Sequence, residues 1–407
     1  MAITEGSSTY IAYKKESVAN TEETGSGGQV LRRVSGTLDL EKAEVTSAEK
    51  RTDFQEVNVT HGTRSCTLSL NGELYGGDYS ALFAAICRRD FAAISAIAAG
   101  SGDAFTISSG VMTRGAGGGE SFITDGALVG LVGRLASMTT TGNNARNLLT
   151  TSAAATTLGL VAVDGGAAVA DDASSNTSAT FTYPGKVTYV PETGHTSDTF
   201  TIERYDSKTD SSQVGYGVKI GSVEISCQPD QAPTVSFAGL GIDRKDYSGG
   251  SAPSLTSPTA AGSGALMAAA IGYIRLNGTA YSVVTGWSLS IDLGVSNQPV
   301  VGANISPDIF YGRAVQVTGT INVLRQGVTI ENLFDDETEF EMNLFAAAPG
   351  SEPRTFYNFF LPRVKLTSAP ADDPDGATTI TANFRAIKKP TTTGYAATTL
   401  VIQDSSA

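Results

Sequence analysis

Hydrophobic and polar residues alternate along several short stretches of the chain. In residues 61–74, Leu68 and Leu70 alternate with small polar residues, and Cys66 extends the same phase. A period of two is the mark of a strand with one buried face. Gly72 lies inside this stretch, where a bulge or the close approach of another segment usually accounts for a glycine. The pattern therefore predicts a half-buried strand.

The spacing of apolar residues becomes helical directly after this strand. Leu82, Phe83 and Ile86 fall on one face of a helix. Asp78 or Ser80 stands where a helix cap is expected. We therefore predict a short helix, with one of these two side chains capping its amino end.

The same order of elements recurs in the second half of the chain. Four pairs of stretches match, namely residues 34–40 with 284–293, 61–91 with 311–334, 219–225 with 360–366, and 234–237 with 379–384. The members of each pair share their pattern of apolar positions. Repetition of several elements in one order predicts a duplicated domain.

Composition favours a β-rich structural protein. Of the 407 residues, 45 are glycine and only 17% are charged, while Ser, Thr and Ala are abundant. The length suits two or three domains, each with its own core. The net charge of −13 argues against nucleic-acid affinity, because phosphate binding draws on clustered Lys and Arg.

Cysteine usage and hydropathy indicate the cellular compartment in which the protein is made. The three cysteines leave an odd thiol and have no paired spacing, which is typical of reduced cysteines made in a cytoplasm. Residues 1–30 contain no apolar signal segment, and the most apolar run, 92–100, is too short to span a bilayer. We expect neither secretion by a signal peptide nor a membrane anchor.

Residues 102–186 have no counterpart in the second half. Their short apolar strands are separated by Asp-Gly and Gly-Asn-Asn turns, which predict a small β-barrel inserted into the first copy of the repeat. Residues 246–270 are rich in Ser, Pro, Gly and Ala and predict a linker. We expect deletion of residues 102–186 to leave assembly of the protein intact.

The predicted fold class is mainly β. It comprises two duplicated β-sandwich or barrel domains, each with a flanking helix, and one inserted small β-barrel-like domain. The predicted division is residues 1–101 with 187–245 for the first domain, then 102–186 for the insert, 246–270 for the linker, and 271–407 for the second domain. The first domain begins with a polar arm over 1–30, which ends in a flexible glycine-rich run at 24–28.

A charged excursion separates the first two strands of the first copy. Its charged residues are Glu41, Lys42, Glu44, Glu49, Lys50, Arg51 and Asp53. The length and charge predict a projecting hairpin or loop, for which a solvated turn without a partner is the alternative. The corresponding segment of the second copy, 294–307, is rich in Pro, Gly and Asn and almost uncharged. The two loops therefore cannot make identical contacts.

The search for catalytic or binding chemistry yields no residue set. His61 and His195 are the only histidines, and neither stands in a pattern typical of a triad or a metal site. Residues 115–119 are glycine-rich but lack the Lys-Ser/Thr that follows in a phosphate-binding loop. Residues 372–376 lack the ligand spacing of a calcium loop, and a polar turn is the better interpretation. We predict no catalytic, cofactor-binding or metal-binding residues.

Several segments resemble the major tail tube proteins of long-tailed bacteriophages, in the type that carries two tube domains. The resemblance rests on Pro191-Glu192-Thr193-Gly194-His195-Thr196, Phe200-Thr201-Ile202-Glu203 and Tyr216-Gly217-Val218-Lys219-Ile220. Within the insert, Thr124-Asp125-Gly126 and Gly142-Asn143-Asn144 resemble a small β-domain found inside the first tube domain of that family. The similarity covers most of the chain from Leu31 onward.

The resemblance implies a structural virion protein and no enzyme. Three chains with two domains each would form a pseudo-hexameric ring, and the rings would stack into the tail tube that forms the channel for DNA. The implied partners are other copies of the chain, a tail tip or baseplate initiator, a tape measure protein and a tail terminator. DNA would pass without specific binding, and the protein would be made and assembled in the host cytoplasm.

In the related tubes the long loop between early strands reaches the adjacent ring. The resemblance thus assigns an assembly role to the charged residues between Glu41 and Asp53. The acidic balance further leads us to expect a channel of net negative charge, which repels the phosphate backbone. The alternative is a secreted surface-layer or adhesin-like β protein, which shares this composition but needs a signal peptide.

Overall fold

The computed structural model describes residues 3, 5–50, 52, 55, 58–100, 102–115, 120–163, 167–372 and 376–407. These residues form 27 strands, two α-helices and three 3₁₀ segments, so the mainly β fold class is confirmed.

Residues up to 90 contain four strands and the first helix, and residues 97–182 contain eight short strands. The first group is β1 (Thr9–Lys15), β2 (Gln29–Val30), β3 (Ser35–Thr46), β4 (Val59–Glu73) and α1 (Ser80–Cys87). The second group is β5 (Ile97–Ala98), β6 (Phe105–Ser108), β7 (Val111–Arg114), β8 (Val132–Ala136), β9 (Leu148–Ala153), β10 (Thr157–Ala162), β11 (Asp172–Asn176) and β12 (Thr180–Thr182).

The remaining strands and the second helix follow after residue 185. They are β13 (Lys186–Tyr189), β14 (Phe200–Asp206), β15 (Ser211–Cys227), β16 (Thr234–Gly241), β17 (Asp243–Ser248), β18 (Ala268–Leu276), β19 (Thr279–Tyr281), β20 (Val284–Asp292), β21 (Val295–Asn297), β22 (Ile309–Tyr311), β23 (Gln316–Leu324), α2 (Thr329–Asp335), β24 (Phe340–Ala347), β25 (Phe356–Ser368), β26 (Thr379–Ala386) and β27 (Val401–Asp404).

Strand pairing follows the same scheme in both halves of the chain. In the first half, β1 pairs with β14, β3 with β4, β4 with β16, and β15 with β14, β16 and β17. In the second half, β18 pairs with β24, β20 with β23, β23 with β26, and β25 with β24, β26 and β27. Each helix lies between corresponding strands, α1 after β4 and α2 after β23.

The two halves are joined edge to edge. Residues Ser222–Cys227 of β15 pair with β20, which makes one continuous antiparallel run in the order β3-β4-β16-β15-β20-β23-β26-β25. One face of this run is apolar throughout. A single cross-strand row on that face consists of Gly36, Leu70, Phe237, Val223, Ile291, Val317, Ala386 and Val364.

Gly72 allows another segment to approach the strand closely, as the sequence predicts. A Cβ on Gly72 would overlap the hydroxyl group of Tyr79, which donates a hydrogen bond to the carbonyl oxygen of Arg32 at 2.9 Å. Gly319, on β23, is likewise crowded, in this case by the ring of Phe384. Both glycines thus admit a neighbouring segment against the strand.

The predicted helix cap is wrong. Tyr79 occupies the N-cap position of α1, and its side chain makes no capping bond. Asp78 instead lies 3.1 Å from the guanidinium group of Arg32, and the Ser80 hydroxyl donates to Asp404 at 3.1 Å. Both polar side chains are thus used between segments rather than at the helix end.

The N-terminal arm contains an ordered strand. β1 pairs with β14 along its whole length, and Ile11 and Ala12 are fully buried. Glu16 is buried as well and accepts hydrogen bonds from the backbone amides of Gly217 and Asn20. The strand of the arm is thus packed on the first half.

The inserted segment forms its own eight-stranded sheet, ordered β11-β6-β7-β10-β9-β8-β12-β5. This sheet does not project freely from the molecule. Phe360 and Val401 of the second half belong to the hydrophobic cluster of the insert, and Asn343 and Asn358 both donate to the carbonyl oxygen of Gly130, at 2.9 and 2.7 Å. The insert therefore shares part of its core with the second half, and the effect of its deletion on assembly stays a prediction.

The segment between the two halves is packed rather than free. Its first residues continue β17, which ends at Ser248. Leu255 and Met267 are fully buried, and the amide of Val30 donates to the carbonyl oxygen of Thr259 at 2.8 Å.

Candidate functional site

A two-stranded arm extends from the first half. The pairing of β4 with β16 ends at Cys66, so the only strand that pairs with residues 59–65 of β4 is β3, and Arg64 also bridges to Ile305 of the second half. The ladder continues to Thr46 opposite Val59, with an irregularity between Lys42 and Glu44. This agrees with the projecting hairpin predicted from the charged excursion.

The charged residues of the excursion are distributed along this arm. Glu41 lies opposite Ser65, Lys42 opposite Arg64, and Glu44 opposite His61. Residues 41–50 are all exposed. Arg51 and Asp53 lie outside the described residues. The structure brings the described charges onto one element, and their role in assembly stays a prediction.

The corresponding loop of the second half is docked on the first half. It contains the hairpin of β21 and β22. The ammonium group of Lys219, on β15, lies 3.0 Å from the carboxylate of Asp308 and donates to the carbonyl oxygen of Ile309 at 2.7 Å. The guanidinium group of Arg88 lies 4.2 Å from the ring centroid of Tyr311. These contacts fix the loop of the second half. The base of the arm meets the same loop, because the backbone amide of Arg64 donates to the carbonyl oxygen of Asn304 at 2.8 Å.

The contact between the two halves, which we call the seam, includes the pairing of β15 with β20 and buries the first helix. Residues 82–87 of α1 are all buried. Phe83 packs against Phe237 of its own half and against Tyr357 of the second half, with ring centroids 5.3 and 5.8 Å apart. The first helix is therefore sandwiched between the two halves.

The second helix is not covered by another part of the described chain in this way. In α2 only Ile330 is buried, and Phe334 is 39% exposed. Val328, just before the helix, is 52% exposed. The element that covers α1 has no equivalent over α2 within the described chain.

Two strand edges of the long sheet are also open. In the described part of the chain, β3 pairs with β4 on one side and with no strand on the other. Residues 365–368 of β25 pair with β26 alone, because the pairing with β24 ends at Val364. At the seam the corresponding residues of β15 are paired with β20.

Ion pairs stand beside the open edge of β25. The ammonium group of Lys365 lies 2.6 Å from Glu337, and the guanidinium group of Arg363 lies 2.7 Å from Glu339. Hydrogen bonding to Lys365 lowers the pKa of Glu337, and hydrogen bonding to Arg363 lowers that of Glu339. Charges on an edge strand discourage pairing with unrelated strands. The acidic run after α2 is thus placed at an edge.

The second face of the long sheet is polar. Three cross-strand rows cover it, with every neighbour in register. The first row is Ser35, Asn71, Ser236, Glu224, Ser290, Thr318, Arg385 and Lys365. The second is Glu73, Thr234, Ser226, Ser288, Thr320, Asn383 and Ser368, and the third is Thr37, Ser69, Ala238, Ser222, Asp292 and Gln316.

Hydroxyl and amide groups dominate these rows and bond to one another. The Asn71 amide donates to the Ser35 hydroxyl at 3.0 Å, and the Asn383 amide donates to the Ser368 hydroxyl at 2.8 Å. Sequence reasoning missed this face as a unit. Its signal was present in the alternating Ser and Thr of each strand, but the register between strands was needed to assemble it.

Two buried carboxylates lie at the contact between the halves. Asp404 accepts hydrogen bonds from the backbone amide of Gly77 at 3.0 Å and from the Ser80 hydroxyl at 3.1 Å. Burial nevertheless raises the pKa of Asp404, and burial together with the Asp404 charge raises the pKa of Asp78. These groups serve the seam and face no cleft of catalytic character.

The candidate catalytic and metal-binding residues do not come together in one site. His61 and His195 are not buried and lie in different parts of the first half. In the part of the chain that the structure describes, no group of three or more His, Cys, Asp or Glu is arranged to hold a metal ion. The three cysteines are free and buried. Residues 116–119 and 373–375, from the glycine-rich and acidic motifs, lie outside the described residues.

No helix among the described residues is long and apolar enough to cross a membrane. The most distinctive surfaces of the described chain are the arm, the open edges, the uncovered helix and the polar face.

Comparison with known proteins identifies the family of the chain. A family model described as phage tail tube protein matches residues 6–386, which is nearly the whole chain. No curated protein matches the sequence. The match favours the virion interpretation over the secreted surface-layer or adhesin-like alternative. The chain belongs to the phage tail tube protein family and is a structural component of the bacteriophage virion tail.

Proposed function

We propose that three copies of the chain form a closed ring and that the rings stack into the tail tube. In each ring the open edge of β25 in one chain pairs with the open edge of β3 in the next. The role is structural and involves no catalysis. DNA passes through the channel during genome ejection without specific binding.

Duplication supports the pseudo-sixfold ring. Six strand pairings and one helix recur in the same chain order in the two halves, although one half also carries the insert. We therefore assign residues 1–101 with 187–245 to the first tube domain, 271–407 to the second, 102–186 to the insert and 246–270 to the linker. Two similar domains per chain give six positions in a ring of three chains.

The open edges carry the proposal. Within the chain, β20 of the second half pairs with β15 of the first half. The strand of the second half that corresponds to β15 is β25, and the strand of the first half that corresponds to β20 is β3. A contact of this kind is heterologous, so repetition closes a ring when the rotation fits. Closure also removes exposed sheet edges.

The difference between the helices supports the same contact. α1 is buried because the second half packs on it, whereas α2 leaves Phe334 and Val328 exposed. A neighbouring first half placed on β25 in the manner of the seam would also cover α2. Exposed apolar side chains beside an open edge are typical of an interface.

We assign the polar face of the long sheet to the channel wall. Its opposite face is apolar and supports the helices, so only the polar face is suited to water. The three rows contain the carboxylates of Glu73, Glu224 and Asp292 and the cations of Arg385 and Lys365. A wall of neutral hydroxyl and amide groups with slightly more acid than base gives DNA no cluster of cations to bind.

The arm is assigned to contacts between rings, with Glu41, Lys42, Glu44, Glu49, Lys50, Arg51 and Asp53 as its charged residues. The remaining partners are inferred from the family. They are a tail tip or baseplate initiator, a tape measure protein and a tail terminator, with synthesis and assembly in the host cytoplasm.

Electron microscopy of the polymerised protein tests the proposal. We expect tubes whose end-on views show six similar lobes, with threefold symmetry at higher detail because only one domain per chain carries the insert. Rings of six complete chains would contradict the proposal, since each would contain twelve tube domains.

A further inference from the structure

We propose that a depression on the polar face of the second half contacts the phosphate groups of DNA as the genome passes. This inference rests on the proposed function, since it takes the polar face as the channel wall. The ligand class is the phosphodiester group, and Arg385 is the residue that binds it. The contact is independent of base sequence.

The depression lies where β20, β23 and β26 are neighbours in the sheet. It measures about 380 Å³. Among the described residues that line it, Arg385 alone is charged. Its polar lining comes from the first two rows of the polar face and includes Ser288, Ser290, Thr318, Thr320, Asn383 and Arg385.

The guanidinium group of Arg385 is available to a ligand. Arg385 is exposed, and within the described chain it makes no ion pair and no side-chain hydrogen bond. Its cross-strand neighbour Lys365, by contrast, lies 2.6 Å from Glu337. The carboxylate of the first polar row, Glu224, is three strands from Arg385, which is about 14 Å. The charge of Arg385 is therefore not neutralised by a neighbouring acid.

Hydroxyl groups beside Arg385 supply further donors. The hydroxyls of Ser288, Ser290 and Thr318 make no hydrogen bond within the described chain, whereas Thr320 donates to the side-chain oxygen of Asn383 at 2.9 Å. Arginine together with Ser and Thr hydroxyls is a common set of phosphate contacts in DNA-binding proteins. A single cation attracts a phosphodiester but releases few counterions, so the contact is weak and permits passage.

The duplication identifies the equivalent place in the first half. Pairing with the long strand is irregular between Ala238 and Gly239 of β16, and between Asn383 and Phe384 of β26. The next residue along each strand, Leu240 in β16 and Arg385 in β26, is therefore equivalent. Following the cross-strand pairs inward, the row Arg385, Thr318, Ser290 corresponds to the row Leu240, Thr67, Asp39.

The first half has the opposite chemistry at this place. A leucine replaces Arg385, and Asp39, which is exposed, replaces Ser290. This surface therefore repels phosphate instead of attracting it. In the proposed ring of three chains, three cationic depressions alternate with three acidic positions around the channel.

The test measures binding of a short fluorescent DNA duplex to the unassembled full-length chain, in which the polar face is open. Arg385→Gln should weaken binding about fivefold at low salt and reduce the slope of log affinity against log salt by about one. Arg385→Lys should retain that slope, because the charge remains. Lys208→Gln is the control, since Lys208 is exposed in the turn after β14 and lies outside the polar face.

Two results of this experiment would overturn the proposal. One is an affinity and salt slope that stay unchanged in Arg385→Gln, and the other is absence of measurable binding by the wild-type chain. Competition identifies the ligand class. Unlabelled duplex should displace the fluorescent duplex, whereas inorganic phosphate at the same phosphate concentration, or polyglutamate at the same charge concentration, should displace far less. Equal displacement by the free ion or by the acidic polypeptide would also overturn the assignment to DNA.

A labelling experiment separates this proposal from the proposed function. Arg385→Cys introduces a reactive thiol, while the three natural cysteines are buried. In assembled tubes a small maleimide should label the new thiol, and a maleimide attached to a folded protein should not, because the channel excludes it. Labelling by both reagents would count against the proposed function. A protected thiol together with a failed binding test would count against the phosphate contact alone.

Discussion

Phe83 of the first helix and Tyr357 of strand β25 pack across the seam, with ring centroids 5.8 Å apart. Both side chains are fully buried. They come from different halves of the chain, so each half depends on the other for part of its core. The same relationship, repeated between chains, is the basis of the proposed ring.

Truncation of Phe83 should therefore destabilise the monomer. Phe83→Ala removes a fully buried ring, and we expect a loss of about 3–5 kcal/mol in the free energy of unfolding. Phe334→Ala on the exposed helix should cost less than about 1 kcal/mol in the monomer and weaken ring formation. Denaturant unfolding and sedimentation measure the two effects. Equal destabilisation by both substitutions would contradict the assigned difference between the helices.

The contact between the insert and the second half can be tested at Gly130. This residue has a φ of +83°, and a Cβ would overlap the ring of Phe360. Gly130→Ala should lower the free energy of unfolding by about 2 kcal/mol or more, because strain and overlap combine. Gly142→Ala, in the same insert, is the control, since a Cβ there meets no atom within 4 Å. A neutral Gly130→Ala would show that the insert is not held against the second half.

The charged arm should act on stacking and not on folding. Lys50→Glu with Arg51→Glu makes the arm strongly acidic and should reduce polymerisation about threefold or more. The loss should be greatest at low salt, where repulsion is least screened. Lys208→Glu, on another part of the first half, is the control. If tube yield and length stay unchanged across a salt series, the arm is not a stacking element.

The seam should respond to pH through Asp404. Burial raises the pKa of Asp404 in the folded chain, so the folded state binds a proton more readily than the unfolded state. The stability associated with this group is therefore present at low pH and decreases as pH rises through the raised pKa. Asp404→Asn should remove this decrease, so the variant gains stability relative to wild type as pH rises above the ordinary pKa of an aspartate.

Denaturant unfolding at several pH values measures this difference. Asp230→Asn, in the exposed turn after β15, is the surface control variant. A wild-type dependence that survives in Asp404→Asn would assign it to other groups.

Much of the fold was accessible from the sequence. The four matched stretches fall on β3 with β20, β4 with β23, β15 with β25, and β16 with β26, because their alternating apolar residues line one core face. The remaining pairs, including β1 with β18, have little common pattern. Their apolar residues are few, and neighbouring strands determine their place.

The candidate surfaces were less accessible. The charged arm was visible because its residues are consecutive. The polar face, the open edges and the uncovered helix depend on which strands are neighbours, and no local pattern encodes that. Likewise, Asp78 and Ser80 have side chains suited to capping, but partners distant in sequence, Arg32 and Asp404, bind them instead.

Disulfide trapping between chains tests the central claim most directly. Continuing the first polar row across the proposed junction places Lys365 of one chain beside Ser35 of the next, as Glu224 stands beside Ser290 at the seam. A chain with Ser35→Cys and Lys365→Cys, oxidised after assembly, should give covalent dimers and trimers and no larger species. Ser69→Cys with Lys365→Cys is the control, because Ser69 lies one strand inward from the edge. Absence of cross-links in assembled tubes, or a series that continues beyond three chains, would contradict the account.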